Sequence, residues 1–310
     1  MDTQPAGTFG TRPVTWTDLE QVFDLISASE RTDAGSAIVE RSDIESDWSR
    51  PSADLSRDTM GVFAGDRLLG YAEISRGGAR AEAYVHPDAR GQGIGSWLAA
   101  WTERTAAGLG VQRIGQSVPE DSAPHRFLAA RGYEKAWTSW VLELPEGASV
   151  PQRDLPPGYR LATADDDAAH RAAHGVIDAA FSDWSDHTDH SYDEWAPYVV
   201  ERSDFEPWML RVVEHERDGV VGVCFTRLDD GGDAFVGQLG VIHAHRAKGL
   251  AQVLLADGFE RAREHGATRS ELTTDSRTGA LDLYLKVGMT VTATWVSLAV
   301  DPRSPSGLNR

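Results

Sequence analysis

Hydrophobic and polar positions recur with two different periods along the chain, and the pattern predicts a mixture of helices and strands. In the first half, apolar residues follow the i, i+3, i+4, i+7 spacing of a helix with one buried face, at Ile94, Trp97, Leu98 and Trp101. Upstream, apolar runs at residues 61–64 and 68–74 flank Gly65-Asp66, which predicts a β-hairpin. Another strand is predicted over residues 81–85, directly before a glycine-rich loop. The first half is therefore predicted to contain a strand–loop–helix joint.

The other predicted elements follow the same order in both halves. The first half adds a helix over 19–26 with a possible capping box at Thr17 and Glu20, a strand over 113–118, a helix over 123–131 and a strand over 137–144. The second half has predicted strands over 220–228, 235–241, 270–274 and 290–300, and predicted helices over 250–265 and 280–287.

Five residues of the first half recur in the second at one fixed spacing. The pairs, each 156 residues apart, are Arg90 and Arg246, Gly93 and Gly249, Gly110 and Gly266, Arg113 and Arg269, and Gly132 and Gly288. This register holds without a gap from residue 90 to 132, so the chain is predicted to be a tandem duplication. The segment 144–158 is rich in Pro and Gly and indicates a linker. We therefore expect two domains, residues 1–148 and residues 149–310.

Composition narrows the class of protein. The 310 residues include 48 acidic and 30 basic side chains, a net charge of −18, which disfavours binding to the phosphates of nucleic acids. No apolar run approaches the length of a membrane span, and the first twenty residues lack the pattern of a signal peptide. Cys224 is the sole cysteine, which excludes an internal disulfide. We therefore expect a cytoplasmic protein with neither nucleic-acid nor membrane partners.

The glycine-rich loop is the strongest chemical signal. Gly91, Gly93 and Gly95 allow close approach of a ligand to the backbone, and the helix that follows directs free N–H groups at an anion. A dinucleotide fingerprint would need glycine where Ser96 stands, and no Lys-Ser/Thr follows the glycines as a P-loop requires. Both copies instead carry Arg-x-x-Gly-x-Gly/Ala, in the second copy as Arg246, Gly249 and Ala251.

This repeated pattern resembles the pyrophosphate-binding loop of the GNAT-type acetyl-CoA-dependent N-acetyltransferases. Residues 126–133 and 283–289 also resemble the closing helix-Gly motif of that family. The resemblance implies an α/β (α+β) fold: two tandem GNAT-like domains, each a mixed, mostly antiparallel sheet flanked by helices, with a splayed strand pair for acetyl-CoA. It implies acetyl-CoA as co-substrate and no metal. The implied cofactor-binding residues are Val85, Arg90, Gly91, Gln92, Gly93, Ile94 and Gly95 in the first copy, and Leu239, Gly240, Val241, Arg246, Ala247, Lys248, Gly249, Leu250 and Ala251 in the second.

The resemblance also implies a general acid, and the two copies differ there. Tyr284 stands four residues before Gly288, where the family places its proton-donating tyrosine, whereas Leu128 holds that position in the first copy. We therefore expect the second domain to be catalytic and the first to bind CoA with little or no catalysis.

A general base is harder to assign. The glutamate that many relatives carry on the strand before the loop is replaced by Phe235 and by Ala79. Asp233 is our candidate for proton removal from the amine. The other acidic or basic side chains near the two loops are His243, Glu271 and Glu82.

The expected activity is transfer of an acetyl group to a primary amine of a small molecule by direct attack. Two alternatives stay open: a non-catalytic CoA-binding regulatory or scaffold protein, and an enzyme like mycothiol synthase, whose two-domain layout is similar. The segment 183–194 holds His187 and His190 among aspartates, but without the spacing of metal ligands. It favours an acidic flap beside the acceptor site that would suit a cationic amine, with a solvated loop as the alternative; its aromatic residues are Trp184 and Tyr192, followed by Trp195.

Overall fold

The computed structural model describes residues 9–182, 191–229 and 231–304, which form two compact units. Unit 1 comprises the described residues up to Thr138 together with those from Ala293 onward, and unit 2 runs from Ser139 to Thr292. The expected boundary between residues 148 and 149 separates the two sequence copies. The compact units divide the chain elsewhere because each contains the last strand of the other copy.

Unit 1 is built on a mixed sheet with the strand order β1-β2-β3-β4-β5-β12. The strands are β1 (Gly10–Arg12), β2 (Thr59–Ala64), β3 (Arg67–Ser75), β4 (Arg80–Val85), β5 (Ile114–Pro119) and β12 (Thr290–Val300), the last of which enters unit 1 at Ala293. The helices are α1 (Leu19–Asp33), α2 (Arg41–Ser49), α3 (Leu55–Asp58), α4 (Ile94–Gly108) and α5 (Ala123–Ala130).

Two strands of unit 1 separate soon after they meet. Strands β4 and β5 are parallel and in register at Arg80 and Gly115. Beyond that point, the side-chain amide of Gln116 donates a hydrogen bond to the backbone carbonyl of Ala83 at 3.0 Å. The other strand pairs described in this unit are antiparallel. The separation of β4 and β5 therefore opens the sheet next to the glycine-rich loop.

Unit 2 has the strand order β6-β11-β10-β9-β8-β7. The strands are β6 (Glu134–Leu144), which enters the unit at Ser139, β7 (Tyr159–Thr163), β8 (Leu210–His215), β9 (Gly219–Leu228), β10 (Ala234–Val241) and β11 (Ser270–Asp275). The helices are α6 (Asp167–Phe181), α7 (Tyr192–Trp195), α8 (Leu250–Glu264) and α9 (Leu281–Lys286). Here too the internal pair, β10 and β11, is parallel.

Each sheet is covered on both faces by helices. In unit 1, α1 and α2 pack through Leu25 and Trp48 on a face that includes Tyr71, whereas α4 packs through Leu98 on the opposite face. In unit 2, Phe259 of α8 lies in one core cluster, and α6 contributes to the other. The arrangement agrees with the predicted α/β fold class, since each unit has a mixed, mostly antiparallel sheet flanked by helices.

Two local predictions need adjustment. The capping box before α1 is formed by Thr15 and Asp18 rather than by Thr17 and Glu20, because the helix is preceded by a 3-10 turn. Helix α1 also extends to Asp33, beyond the predicted end at residue 26. Among the described helices, none combines the length and apolar character needed to cross a membrane.

The strand composition of the units is testable with two leucines. Leu298 of β12 is buried in a unit 1 cluster beside Val118, and Leu142 of β6 is buried in the core of unit 2. Each Leu→Ala change should cost about 2–5 kcal/mol through the cavity that it leaves. We expect hydrogen exchange to accelerate in β5 for Leu298→Ala and in β11 for Leu142→Ala. Equal acceleration in both units by either variant would contradict the assignment of the strands.

Candidate active site

The loop between β4 and α4 adopts a backbone conformation that favours glycine. Gly91 and Gly93 have φ values of 77° and 83°, in the left-handed region that side chains with a Cβ rarely occupy. Gly93 is the N-cap of α4, so the first N–H groups of the helix have no intrahelical acceptor and point toward the loop. This geometry provides an anion site with the positive end of the helix dipole behind it.

A cavity of about 500 Å³ lies at this loop in unit 1. It extends between the separated strands, from Val85 on β4 to Val118 on β5. Its lining includes the loop glycines and the first turn of α4 at Ser96. A Cβ added to Gly91 or Gly93 would meet nothing within 4 Å. The phosphate-binding loop predicted in the first copy therefore faces open space large enough for part of an extended ligand.

Arg90 fastens this loop to α1. Its guanidinium donates to both carboxylate oxygens of Asp33 at 2.7 Å and to the Ser29 hydroxyl at 2.9 Å. Of the other predicted residues of this loop, Gln92 is exposed and Ile94 is buried in the core. The backbone of the loop, rather than the Arg90 side chain, is therefore the part that is free to bind phosphate.

The second loop repeats the same backbone. Gly249 has φ 83°, and Ala247 has φ 61° at the position where the first copy carries Gly91. A left-handed alanine is strained by its Cβ. Arg246 donates to the carbonyls of Val241 at 3.1 Å and Ala180 at 2.9 Å. It thereby anchors this loop to the end of α6, much as Arg90 anchors the first.

The environment of the second loop differs from that of the first. A Cβ added to Gly249 would lie 2.3 Å from Nε of Arg153, a residue of the linker. Gln252, in the first turn of α8, donates to the carbonyl of Pro151 at 2.8 Å. Lys248 donates to the hydroxyl of Tyr159 at 2.8 Å. The linker therefore covers the second loop. Its exposed Arg153 occupies the space in front of Gly249, whereas the corresponding space in front of Gly93 is open.

The other cofactor-binding residues predicted in the second copy contribute to packing. A Cβ on Gly240 would lie 3.0 Å from Cβ of Ala180, so a side chain here would crowd α6. Leu250 is buried, and Leu239 and Ala251 pack against the same core.

Tyr284 lies on α9 and is 7% exposed, within the core cluster that also contains Cys224. Burial raises the pKa of Tyr284 above its ordinary value, so the phenol holds its proton at neutral pH, as a general acid must. Burial also raises the pKa of Cys224 to about 12, which makes its thiol inert. In unit 1, the corresponding Leu128 is apolar and lines the cavity.

Asp233 lies just before β10 and is held by Arg269. Its carboxylate accepts from Arg269 Nη2 at 2.5 Å and Nε at 2.9 Å, and from the Thr268 hydroxyl at 3.1 Å. Burial alone would raise its pKa, but these hydrogen bonds hold the pKa of Asp233 below the ordinary value. The general-base role of Asp233 stays a prediction, and this ion pair weighs against it.

Unit 1 contains a carboxylate group that sequence reasoning did not single out. Glu73 on β3 lies directly opposite Glu82 on β4, on the face covered by α1 and α2. The Tyr71 hydroxyl donates to Glu73 at 2.5 Å, and Arg50 lies 3.8 Å away. Burial and the nearby Asp47 raise the pKa of Glu73 to about 7. The signal in the sequence was the pair of glutamates at facing positions of the predicted hairpin and the next strand.

The cavity also borders on acidic side chains. Glu30 of α1 lines it, and its carboxylate accepts from the backbone N–H groups of Ile38 and Val39. Burial raises the pKa of Glu30. Glu82, named as a possible base, is paired with Arg80 and accepts from the Tyr84 hydroxyl at 3.3 Å.

Part of the predicted acceptor flap can be placed. Trp195 is buried, and its indole N–H donates to Gln238 at 2.9 Å. The ring of Tyr192 already has the Arg171 guanidinium 4.2 Å above it. The remaining flap residues, Trp184, His187 and His190, lie outside the described residues.

Comparison with known proteins gives the same family for both halves. The profile described as "Acetyltransferase (GNAT) family" matches residues 170–289, and "Acetyltransferase (GNAT) domain" matches residues 57–135. A mycothiol acetyltransferase of Sanguibacter keddieii is 31% identical over 93% of this chain and 95% of its own. That of Thermobispora bispora is 28% identical over 88% of this chain and 92% of its own.

The chain belongs to the GNAT acetyltransferase family.

Solved structures agree at the level of the fold. A GCN5-related N-acetyltransferase from Sphaerobacter thermophilus superimposes with a TM-score of 0.73 at 24% identity, covering 95% of this chain and 96% of its own. A tandem GNAT protein from the clavulanic acid biosynthesis pathway gives 0.73 at 19% identity, covering 95% and 98%. As a GNAT member, this chain is an acyltransferase, and acetyl-CoA is the donor that its family uses.

The pKa of Glu73 makes a prediction about stability. A carboxyl whose folded-state pKa is raised from 4.5 to about 7 favours folding below pH 4.5, and this contribution is lost as pH rises through 7. We expect the Glu73→Gln variant, which stays neutral, to lose less stability between pH 5 and pH 8 than the natural protein, by up to about 3 kcal/mol.

Urea unfolding at the two pH values, with Asp47→Asn as a comparison, measures this difference. Because Asp47 raises the pKa of Glu73, the Asp47 variant should show an intermediate effect. Identical pH profiles for the natural protein and Glu73→Gln would contradict the assignment.

Proposed function

We propose that this GNAT enzyme transfers an acetyl group from acetyl-CoA to a primary amine of a small molecule. The observation that carries the proposal is the loop of unit 1, whose glycines face a cavity of about 500 Å³ between separating parallel strands. A strand gap holds an extended arm, and the free N–H groups of the helix hold its phosphates. The relatives named mycothiol acetyltransferase favour an acceptor of the same chemical class as theirs.

The acceptor is proposed to be cationic. The chain carries a net charge of −18, which makes its surface acidic overall. Such a surface attracts an ammonium group.

The two units are proposed to divide the work. In the reaction, the amine attacks the thioester carbon, the C–S bond breaks, the departing thiolate takes a proton from a general acid, and the proton lost by the amine passes to water. Tyr284 of unit 2 is the proposed general acid, since Leu128 has no proton to give. Turnover in unit 2 requires acetyl-CoA to displace the exposed Arg153 from Gly249. Unit 1, whose loop is open, is proposed to hold acetyl-CoA without fast turnover.

The donor sites can be separated with two substitutions at matching positions. Ser96 is the third residue of α4, and Gln252 is the third residue of α8. Glutamate is favourable at this position of a helix. Its negative charge would repel a bound phosphate by roughly 4 kcal/mol at most. We expect Ser96→Glu to remove tight acetyl-CoA binding measured by calorimetry and to spare turnover. Gln252→Glu should keep that binding and raise the KM for acetyl-CoA about tenfold or more.

If Ser96→Glu abolished turnover and Gln252→Glu had no effect, the reaction would belong to unit 1. If neither variant changed binding or turnover, the loops would not be the phosphate site.

The role of Tyr284 is tested by Tyr284→Phe. This change removes one oxygen from a buried ring, so the fold should persist. We expect kcat with an amine panel to fall by about 10²–10⁴-fold, the usual contribution of general acid catalysis, with tight acetyl-CoA binding unchanged. Tyr133→Phe, which removes a buried hydroxyl of unit 1 bonded to Glu103, is the matched control. Unchanged kcat in Tyr284→Phe would make Tyr284 a packing residue.

A non-catalytic, CoA-binding role is the second candidate, and the covered loop at Gly249 is the observation that favours it. Release of free thiol from acetyl-CoA in the presence of amines separates the two candidates. Binding without thiol release across the panel would support the second.

A further inference from the structure

Three side chains of unit 2 with metal-ligand chemistry converge outside the proposed catalytic site. His215 ends β8, Asp218 lies in the turn between β8 and β9, and His245 lies in the turn that leads into the second loop. One nitrogen or oxygen atom from each lies within 4.8 Å of the others. Imidazole and carboxylate are ligands that zinc and similar ions prefer.

One distance between ligand atoms matches a tetrahedral site, and a second is shorter. Asp218 Oδ2 lies 3.2 Å from His245 Nε2 and 2.6 Å from His215 Nδ1. With metal–ligand bonds of about 2.0–2.1 Å, neighbouring ligand atoms of a tetrahedron are roughly 3.3–3.4 Å apart. The pair formed by His245 and Asp218 already has this separation. The pair formed by His215 and Asp218 needs to open by roughly 0.7 Å to reach it, and Asp218 is on an exposed turn that can move.

His215 makes a close but poorly aligned contact with Asp218. Its Nδ1 is buried and makes no hydrogen bond within the described part of the chain, although Asp218 Oδ2 is close. A buried ring nitrogen without a hydrogen bond costs free energy. A metal ion between the two histidines and Asp218 would use this nitrogen.

His245 is oriented for ligation by a second contact. Its Nδ1 lies 2.7 Å from the hydroxyl of Tyr159, which also accepts from Lys248. If Nδ1–H donates to that oxygen, the lone pair of Nε2 faces Asp218, which is the arrangement typical of metal-binding histidines.

One group opposes a cation here. The ammonium of Lys248 repels a divalent ion, although the Tyr159 hydroxyl lies between it and His245. In the absence of a metal, His245 can instead donate from Nε2 to Asp218, which would make the cluster a hydrogen-bonded network. The test must therefore separate metal binding from that network.

We propose that His215, Asp218 and His245 bind a divalent transition-metal ion, with zinc preferred and water completing a four-coordinate shell. The ion joins the β8–β9 turn to the segment before the second loop. It thereby holds the start of that loop in place without taking part in acetyl transfer.

The experiment uses the full chain, free of an added histidine tag and stripped of metal with a chelator. Titration with Co²⁺ should give the visible absorption of a tetrahedral site at one equivalent, and Zn²⁺ should displace it. His215→Ala and Asp218→Asn should each weaken Zn²⁺ binding by more than about 100-fold, beyond the effect of losing an outer contact. Lys248→Met should tighten binding, because a neighbouring cation is removed.

His265→Gln is the control, since this exposed histidine of unit 2 stacks on Trp208 away from the cluster. It should bind Co²⁺ like the natural chain. Circular dichroism and acetyl-CoA binding in unit 1 check that each variant is folded. No stoichiometric Co²⁺ spectrum in the natural chain, or a spectrum that persists in both His215→Ala and Asp218→Asn, would overturn the proposal and leave a hydrogen-bonded network.

Discussion

Each unit depends on a left-handed turn of the backbone between a strand and a helix. The turn places two positive φ positions, Gly91 and Gly93 in unit 1 with one residue between them, immediately before a helix. It turns the N-terminal end of α4 toward the gap where β4 and β5 separate. The free N–H groups, the helix dipole and the cavity meet at one point for this reason. The arginine at the start of the loop stabilises the turn by its bonds to α1.

The two loops show that the same backbone can serve different purposes. Ala247 adopts the left-handed conformation at a steric cost, so the second turn has the same geometry without a glycine at this position. What changed is its surroundings: Arg153 contacts Gly249, and Pro151 accepts from the first turn of α8. A cation on the N-terminal end of a helix, beside Lys248, is unfavourable by itself. An anion entering between them would relieve that repulsion, which is why a displaceable cover is physically reasonable.

The acidity of the chain is distributed in a way that composition alone does not reveal. Several carboxylates of unit 1 face one another, as Glu73 and Glu82 do across β3 and β4, although like charges at facing positions destabilise a sheet. This destabilising pair lies on a sheet face next to the cavity of unit 1. Residues that lower local stability are expected at functional sites, and the facing glutamates mark this face of unit 1 as a candidate for one.

The duplication, the order of helices and strands, and both loops could be predicted from the amino-acid sequence alone. These depend on short-range rules: hydrophobic period, the need for glycine at positive φ, and a repeat at fixed spacing. The sequence also located Tyr284 and its replacement by Leu128. Three features became visible in the folded chain alone. These are the strands that complete each unit, the proximity of Arg153 to Gly249, and the ion pair between Asp233 and Arg269. The facing pair of Glu73 and Glu82 and the cluster at His215 likewise depended on the folded chain. Those relations join residues that are distant in sequence or depend on side-chain direction. They follow from how the sheets and linker pack, which no local pattern of residues encodes.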